Sequence, residues 1–124
     1  MTYVQTDRAP AAIGPYSQAV KVNGMVYTSG QIALTTEGTM LDLDIRIQTE
    51  QVLTNLRHVL EAAGSGLDRV VKTTIYLADM DDFATVNELY EGAFGDHKPA
   101  RSTVAVKTLP KNALVEIDAV ALAD

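Results

Sequence analysis

The feature that most constrains the fold of this chain is a pair of alternating runs near the C-terminus, at residues 99–106 and 114–120. Side chains on a β-strand alternate between two faces, so the second run has an apolar face opposite Glu116 and Asp118. The turn chemistry of residues 109–112 predicts an antiparallel hairpin between the two runs. We expect one face of this hairpin to carry Arg101 together with both carboxylates. The alternative is an ordinary solvent-exposed ion pair, which is common and stabilises little.

Upstream, the chain alternates between strand and helix patterns. Asn23-Gly24 predicts a type I′ turn between strands at residues 18–22 and 25–29. Residues 30–34 continue extended, and Gly30 indicates a bulge or a close approach to the backbone. Apolar residues at helical spacing predict a helix from Asp44 to Ala63.

Residues 69–77 are predicted to form a central strand, with Val71 facing the same side as Ile75 and with Val70 facing the side of Tyr76. A second helix follows the N-cap candidates at 79–82 and closes at Gly95. This order predicts an α+β fold with a mostly antiparallel sheet and two helices packed on one face, in a single domain spanning residues 1–124. Because the other face stays half apolar, we expect a homo-oligomer with a ligand cleft between subunits.

Composition excludes several classes of function. The 10 Lys and Arg residues against 16 Asp and Glu residues give a net charge of −6, which disfavours a nucleic-acid or anionic membrane surface. The chain has no cysteine, which excludes disulfides, thiolate nucleophiles and cysteine metal sites. With only two histidines, far apart in the sequence, we expect no metal. There is no signal-peptide pattern and no apolar run of membrane-spanning length, so a cytoplasmic location is predicted.

Several spaced motifs carry a resemblance to a known family. They include Ala12-Ile-Gly-Pro-Tyr16-Ser-Gln, Tyr27-Thr-Ser-Gly-Gln31, Asp82-Phe-Ala-Thr-Val-Asn87 and Pro99-Ala-Arg-Ser102. Together they resemble the RidA/YjgF family of imine deaminases, also called L-PSP endoribonucleases. The resemblance extends from about residue 9 to residue 122 and implies a chorismate-mutase-like homotrimer with clefts at the subunit interfaces. It also implies hydrolysis of 2-imino and 2-enamino acids to 2-oxo acids and ammonia, with no cofactor.

The same resemblance implies a set of site residues. Arg101 would hold the substrate carboxylate, which a guanidinium can bind bidentately. Glu116 would orient or deprotonate the attacking water, and Tyr16 would offer a hydroxyl. The pocket would be completed by Ser29, Gly30, Asn87 and Thr103, and the family often has cysteine where this chain has Thr103.

Each of these residues also has a structural interpretation. Tyr16 suits a core aromatic, Ser29 a strand hydroxyl, Asn87 a boundary position on a helix and Thr103 a β-branched strand residue. In the structural interpretation, Glu116 and Asp118 do no more than discourage edge-to-edge aggregation.

Three functions therefore remain open from the sequence. One is the deaminase. Another is a non-catalytic protein that binds 2-oxo acids or related small carboxylates in the same cleft. The third is an endoribonuclease, which the acidic charge and the absence of a paired histidine arrangement disfavour.

Overall fold

The computed structural model describes residues 1–123 as a six-stranded sheet with two α-helices packed on one face. The elements are β1 (Thr2–Val4), β2 (Ala19–Val22), β3 (Met25–Thr28), α1 (Ile45–Ala62), β4 (Val70–Leu77), α2 (Phe83–Phe94), β5 (Ala100–Ala105) and β6 (Val115–Leu122). In spatial order the strands are β1, β2, β3, β6, β4 and β5. All neighbouring strands pair antiparallel except β4 and β5, which are parallel, so the predicted α+β class and mostly antiparallel sheet are confirmed.

The first hairpin, between β2 and β3, and helix α1 were predicted correctly from local sequence signals. Asn23 and Gly24 have φ of 51° and 76°, as a type I′ turn requires. Asp44 caps α1 by accepting a 3.0 Å hydrogen bond from the backbone N–H of Ile47. The buried side of α1 packs against the apolar face of β6, which carries Val115, Ile117, Ala119 and Ala121. This layer is the core that holds β6 in place at the centre of the sheet.

The predicted hairpin between residues 99–106 and 114–120 is wrong. Strand β4 lies between β5 and β6, and β5 runs parallel to β4 at the edge of the sheet. The reason is α2, because a helical crossover between two strands returns the chain in the parallel direction. The segment after β5 then passes across the end of β4, where the N–H of Val106 bonds the carbonyl of Leu77.

This topology also separates Arg101 from the two carboxylates. Arg101 is opposite Thr73, whose hydroxyl bonds the hydroxyl of Tyr90 on α2 at 2.8 Å, so Arg101 lies on the helix side of the sheet. Glu116 is opposite Tyr76, three positions further along β4 and therefore on the other side. We call that side the open face, and it carries Lys72, Thr74, Tyr76, Glu116 and Asp118. The predicted single face with all three charges is wrong.

Two smaller predictions also fail. A β-bulge interrupts the β4–β6 register between Val70 and Lys72, so Val70 is buried and Val71 is 39% exposed, the reverse of the alternation. Residues 30–34 form isolated bridges, Gln31 with Ile117 and Leu34 with Met40, and are not part of a continuous strand.

Candidate active site

A cleft of about 570 Å³ opens beside the end of β3 and the middle of β6. It has a polar side and an apolar side. Its lining brings together four of the predicted site residues, Tyr16, Ser29, Gly30 and Glu116, with Lys111 at the rim. The apolar side includes residues 10–13, Ile32 and Pro110. We call this the Glu116 cleft.

The side chain of Glu116 lies against the backbone of Gly30, in space that a side chain at position 30 would occupy. A Cβ atom on Gly30 would stand 1.8 Å from Oε2 of Glu116, so any side chain at position 30 would displace the carboxylate. The backbone of Gly30 is held beside β6 by a pair of hydrogen bonds between Gln31 and Ile117, of 2.9 and 3.1 Å. The close approach predicted for Gly30 is therefore confirmed, and the group that approaches it is the carboxylate of Glu116.

Tyr16 lies on the segment that precedes β2, and Ser29 is hydrogen-bonded to the same segment. The Ser29 hydroxyl donates to the carbonyl of Ser17 at 2.5 Å, so it is engaged in the fold. Tyr16 is 55% exposed at the cleft, which excludes the interpretation as a core aromatic. The buried amide of Gln18 bonds the carbonyls of Thr6 and Pro10 and so fixes this wall of the cleft. Gln18 was not predicted to shape the site, since a lone glutamine on a strand gives no signal of burial.

The charge on Glu116 is destabilised by its surroundings. Burial raises the pKa of the Glu116 carboxyl, and the charge of Asp118 raises it further. Burial also raises the pKa of Asp118, against the lowering effects of the Tyr76 hydroxyl and Lys72. A carboxylate with a raised pKa can exchange protons nearer to neutral pH, which general acid–base catalysis requires.

Arg101 lies in a separate corner beside α2. Its Nη1 donates to Oδ1 of Asn87 at 2.7 Å, and its guanidinium carbon is 4.9 Å from the ring centroid of Tyr90 and 5.5 Å from that of Phe83. Within residues 1–123 no carboxylate pairs with Arg101. The guanidinium is thus oriented by an amide and two rings and keeps N–H groups free for an anion.

Thr103 follows on the same strand and the same side as Arg101. Its hydroxyl oxygen is buried and has no hydrogen-bond partner among the residues that the structure describes. It therefore contributes bulk beside Arg101, and its hydroxyl is not presented to the Glu116 cleft. A less polar side chain, such as cysteine, would fit this environment at least as well.

The predicted site residues thus form two half-sites on opposite faces of one sheet. Tyr16, Ser29, Gly30 and Glu116 belong to one, whereas Asn87, Arg101 and Thr103 belong to the other. Lys111, at the rim of the Glu116 cleft, was missed as a site residue although it lies in the turn predicted at residues 109–112. Over residues 1–123 there is no group of three His, Cys, Asp or Glu placed to hold a metal ion. In the same range, no helix has the length and apolar character needed to cross a membrane.

This fold and these half-sites define a class of small α+β proteins with polar pocket groups split between the faces of one sheet. A sequence model described as Endoribonuclease L-PSP matches residues 6–123, and the chain belongs to this family, which confirms the RidA/YjgF resemblance. A mouse relative named 2-iminobutanoate/2-iminopropanoate deaminase is 47% identical over 120 residues, covering 96% of this chain and 89% of its own length.

Solved structures agree with this assignment. The crystal structure of a putative endoribonuclease from Thermotoga maritima superposes with a TM-score of 0.97 at 50% identity, over 100% of this chain and 98% of that one. The Escherichia coli protein TdcF, solved with bound serine, superposes with a TM-score of 0.94 at 39% identity over 100% of both chains.

Proposed function

We propose that this chain is a cofactor-free deaminase that hydrolyses reactive 2-imino and 2-enamino acids, such as 2-iminopropanoate and 2-iminobutanoate, to 2-oxo acids and ammonia. The observation that carries the proposal is a pair of opposite charges, Arg101 and Glu116, neither of which has an ion-pair partner within residues 1–123. An imino acid presents a carboxylate for the first and a protonated imine nitrogen for the second. The mouse relative named for this activity and the serine-bound TdcF support the same class of small substrate.

Each residue then has a defined task. Arg101, oriented by Asn87, binds the substrate carboxylate through two parallel N–H···O bonds. Glu116 faces the iminium carbon and accepts a proton from a water molecule as its oxygen attacks. In this proposal the Tyr16 hydroxyl hydrogen-bonds the water or the imine nitrogen, while Ser29 and Gly30 hold the wall against which Glu116 rests. Thr103 shapes the pocket beside Arg101.

The proton balance needs only Glu116. Attack of water on the iminium ion, with transfer of one water proton to Glu116, gives a neutral carbinolamine. Glu116 then returns the proton to the amino nitrogen, the C–N bond breaks, and ammonia leaves with the bonding electrons. The hydroxyl proton of the intermediate passes to Glu116 and then to ammonia, which leaves the 2-oxo acid and the starting carboxylate. Orientation and electrostatic stabilisation supply the rate enhancement, because the iminium carbon is already electrophilic.

We propose further that a complete site forms between protomers of a homotrimer. Arg101 and Glu116 project from opposite faces of the sheet, so one chain cannot present both to one small molecule. A neighbouring copy that places its β5 edge and α2 over the Glu116 cleft would supply Arg101 and would cover the open face. We expect no nucleic-acid partner and a cytoplasmic location, which the acidic, cysteine-free composition favours.

The test is an imine-trapping assay. A serine dehydratase generates 2-aminoacrylate in the presence of semicarbazide, and the trapped imine is followed with and without the protein. Wild type should remove the trappable imine, Arg101→Ala should lose roughly 100-fold or more of that activity, and Arg101→Lys should restore only part of it. Arg57→Ala, which removes an exposed arginine from α1, is the matched control and should behave as wild type.

One result would contradict the role of Arg101, and another would contradict the deaminase itself. If Arg101→Ala retains full turnover, Arg101 does not hold the substrate carboxylate. If wild type is inactive on several 2-imino acids but binds 2-oxobutanoate by calorimetry, the cleft belongs to a binding protein.

A further inference from the structure

The open face carries two carboxylates where the proposed mechanism uses only one. Glu116 and Asp118 are two residues apart on β6, so their side chains lie on the same face, with Cα atoms about 6.6 Å apart. Both residues are half-buried by the sheet around them. A second acid this close to a catalytic carboxylate changes how readily the first gives up its proton.

Tyr76 joins the two acids from the neighbouring strand. It is directly opposite Glu116 in the β4–β6 register, and its hydroxyl donates to Oδ2 of Asp118 at 3.2 Å. This bond stabilises the charged form of Asp118. The hydroxyl therefore keeps a negative charge at a defined place beside Glu116.

The other charged and titratable groups facing Glu116 are few. Lys72 on β4 lies on the same face, but its ammonium group donates to the hydroxyl of Ser102 at 3.3 Å and its charge lowers the pKa of Asp118. Tyr16 and Lys111 line the same cleft from two loops. Among residues 1–123, only Asp118 contributes a charge effect to the raised pKa of Glu116, after burial itself. Asp118 is therefore the side chain whose charge, in addition to burial, raises the pKa of Glu116.

We propose that Asp118, held by the Tyr76 hydroxyl, is a positioning residue for Glu116 and tunes its proton transfer during imine hydrolysis. This inference rests on the proposed function, because it assigns a role within that reaction. Asp118 does not touch the substrate. Its negative charge disfavours a second charge on Glu116, so Glu116 is a stronger base and takes the water proton more readily than it would without Asp118. Water attack needs the ionised form of Glu116, so activity falls at acidic pH as that carboxylate is protonated.

The experiment compares pH profiles of kcat/KM for wild type and Asp118→Asn. Asparagine keeps the shape and still accepts the Tyr76 hydrogen bond, but it removes the charge. Without that charge the pKa of Glu116 falls, so the acid limb of the profile should move to lower pH by about half a unit to one unit. Asp118→Glu should keep the limb near its wild-type position. Asp68→Asn, which removes an exposed acid at the opposite end of β4, is the charge-matched control and should shift nothing.

A double-mutant cycle tests the role of the hydroxyl. Tyr76→Phe alone should move the acid limb to lower pH, as Asp118→Asn does, because Asp118 loses its charge more readily without the hydroxyl. The same substitution in the Asp118→Asn background should add no further shift if the hydroxyl acts through Asp118. Additive shifts would overturn the role assigned to Tyr76.

Carboxyl NMR titration of Glu116 separates this inference from the proposed function. An inactive wild type would refute the deaminase, whereas the titration is measured without any substrate. If Asp118→Asn leaves both the Glu116 titration and the acid limb in place, the inference is overturned. A lower kcat with an unshifted profile would show a merely structural role.

Discussion

At the scale of single residues, the glycine at position 30 is required by a neighbouring side chain and not by its own backbone. Its φ lies outside the left-handed region, whereas Gly24, Gly38 and Gly64 have positive φ. What Gly30 provides is the absence of a Cβ, which lets the Glu116 carboxylate lie against the main chain. This requirement belongs to the site and leaves the fold unaffected.

We therefore expect Gly30→Ala to reduce imine hydrolysis by about 100-fold with a modest loss of stability, because the new methyl group displaces Glu116. Activity assays and thermal unfolding check this. Gly92→Ala is the control, since Gly92 lies in α2 with open space where a Cβ would stand, and alanine there should stabilise the helix by about 1 kcal/mol. Equal activity of the two variants would contradict the role of Gly30.

The hydroxyl of Thr103 supports a second prediction at this scale. Because it is buried without a partner among residues 1–123, Thr103→Val should raise the free energy of unfolding by about 1 kcal/mol. Thr73→Val is the matched comparison, because the Thr73 hydroxyl bonds Tyr90 at 2.8 Å and its loss should destabilise the protein by about 1–2 kcal/mol. Denaturant unfolding of both variants measures the difference. Destabilisation of similar size at both positions would mean that the Thr103 hydroxyl has a partner.

At the scale of elements, the short turn before β6 has a strained backbone at Lys111 and Asn112. Lys111 and Asn112 have φ of 55° and 56°, a conformation that costs a non-glycine residue about 1–2 kcal/mol. The turn is held at its far end by Gln48 on α1, whose side-chain oxygen accepts from the N–H of Leu114 at 2.9 Å. The packing of α1 therefore maintains the strained turn, and the turn holds Lys111 at the rim of the Glu116 cleft.

Replacing Lys111 by glycine should release this strain. We expect Lys111→Gly to raise the free energy of unfolding by about 0.5–1 kcal/mol, measured by denaturant unfolding. Lys107→Gly, at an exposed position without a positive φ, should instead lower it by up to about 1 kcal/mol. A loss of stability in both variants would show that the turn is not strained at Lys111.

At the scale of the whole molecule, the separation of Arg101 from Glu116 predicts that inactive variants complement each other. Co-expressed Arg101→Ala and Glu116→Gln chains should recover activity, because a mixed assembly contains interfaces that pair an intact Arg101 with an intact Glu116. Random mixing in a cyclic trimer makes about a quarter of the sites complete.

Imine hydrolysis by differently tagged, co-purified chains measures this recovery. Co-expression of Arg101→Ala with the double variant Arg101→Ala/Glu116→Gln provides no intact Arg101 and should stay inactive. Recovery no greater than in this control would mean that each chain builds its own site.

The sequence was sufficient to predict those features that depend only on the conformation of a few neighbouring residues. The type I′ turn at Asn23-Gly24 and the start of α1 next to Asp44 depend on one or two residues and their own backbone preferences, so both predictions are confirmed. The family resemblance likewise carries the fold and the set of candidate residues, since it rests on motifs spread along the chain. The bulge at Val71 was missed because alternation by itself does not show where a register shifts.

The sequence by itself determined both helices, the first hairpin and the alternation that buries one side of β6, and its family motifs supplied the candidate side chains for the site. Only the tertiary structure decided how those candidates are grouped. The crossover through α2 places β5 beyond β4, which sends Arg101 to the helix side and leaves Glu116 and Asp118 on the open face. Strand order depends on long-range pairing free energies that no local pattern contains, and so the split of the site between two faces was visible only in the folded chain.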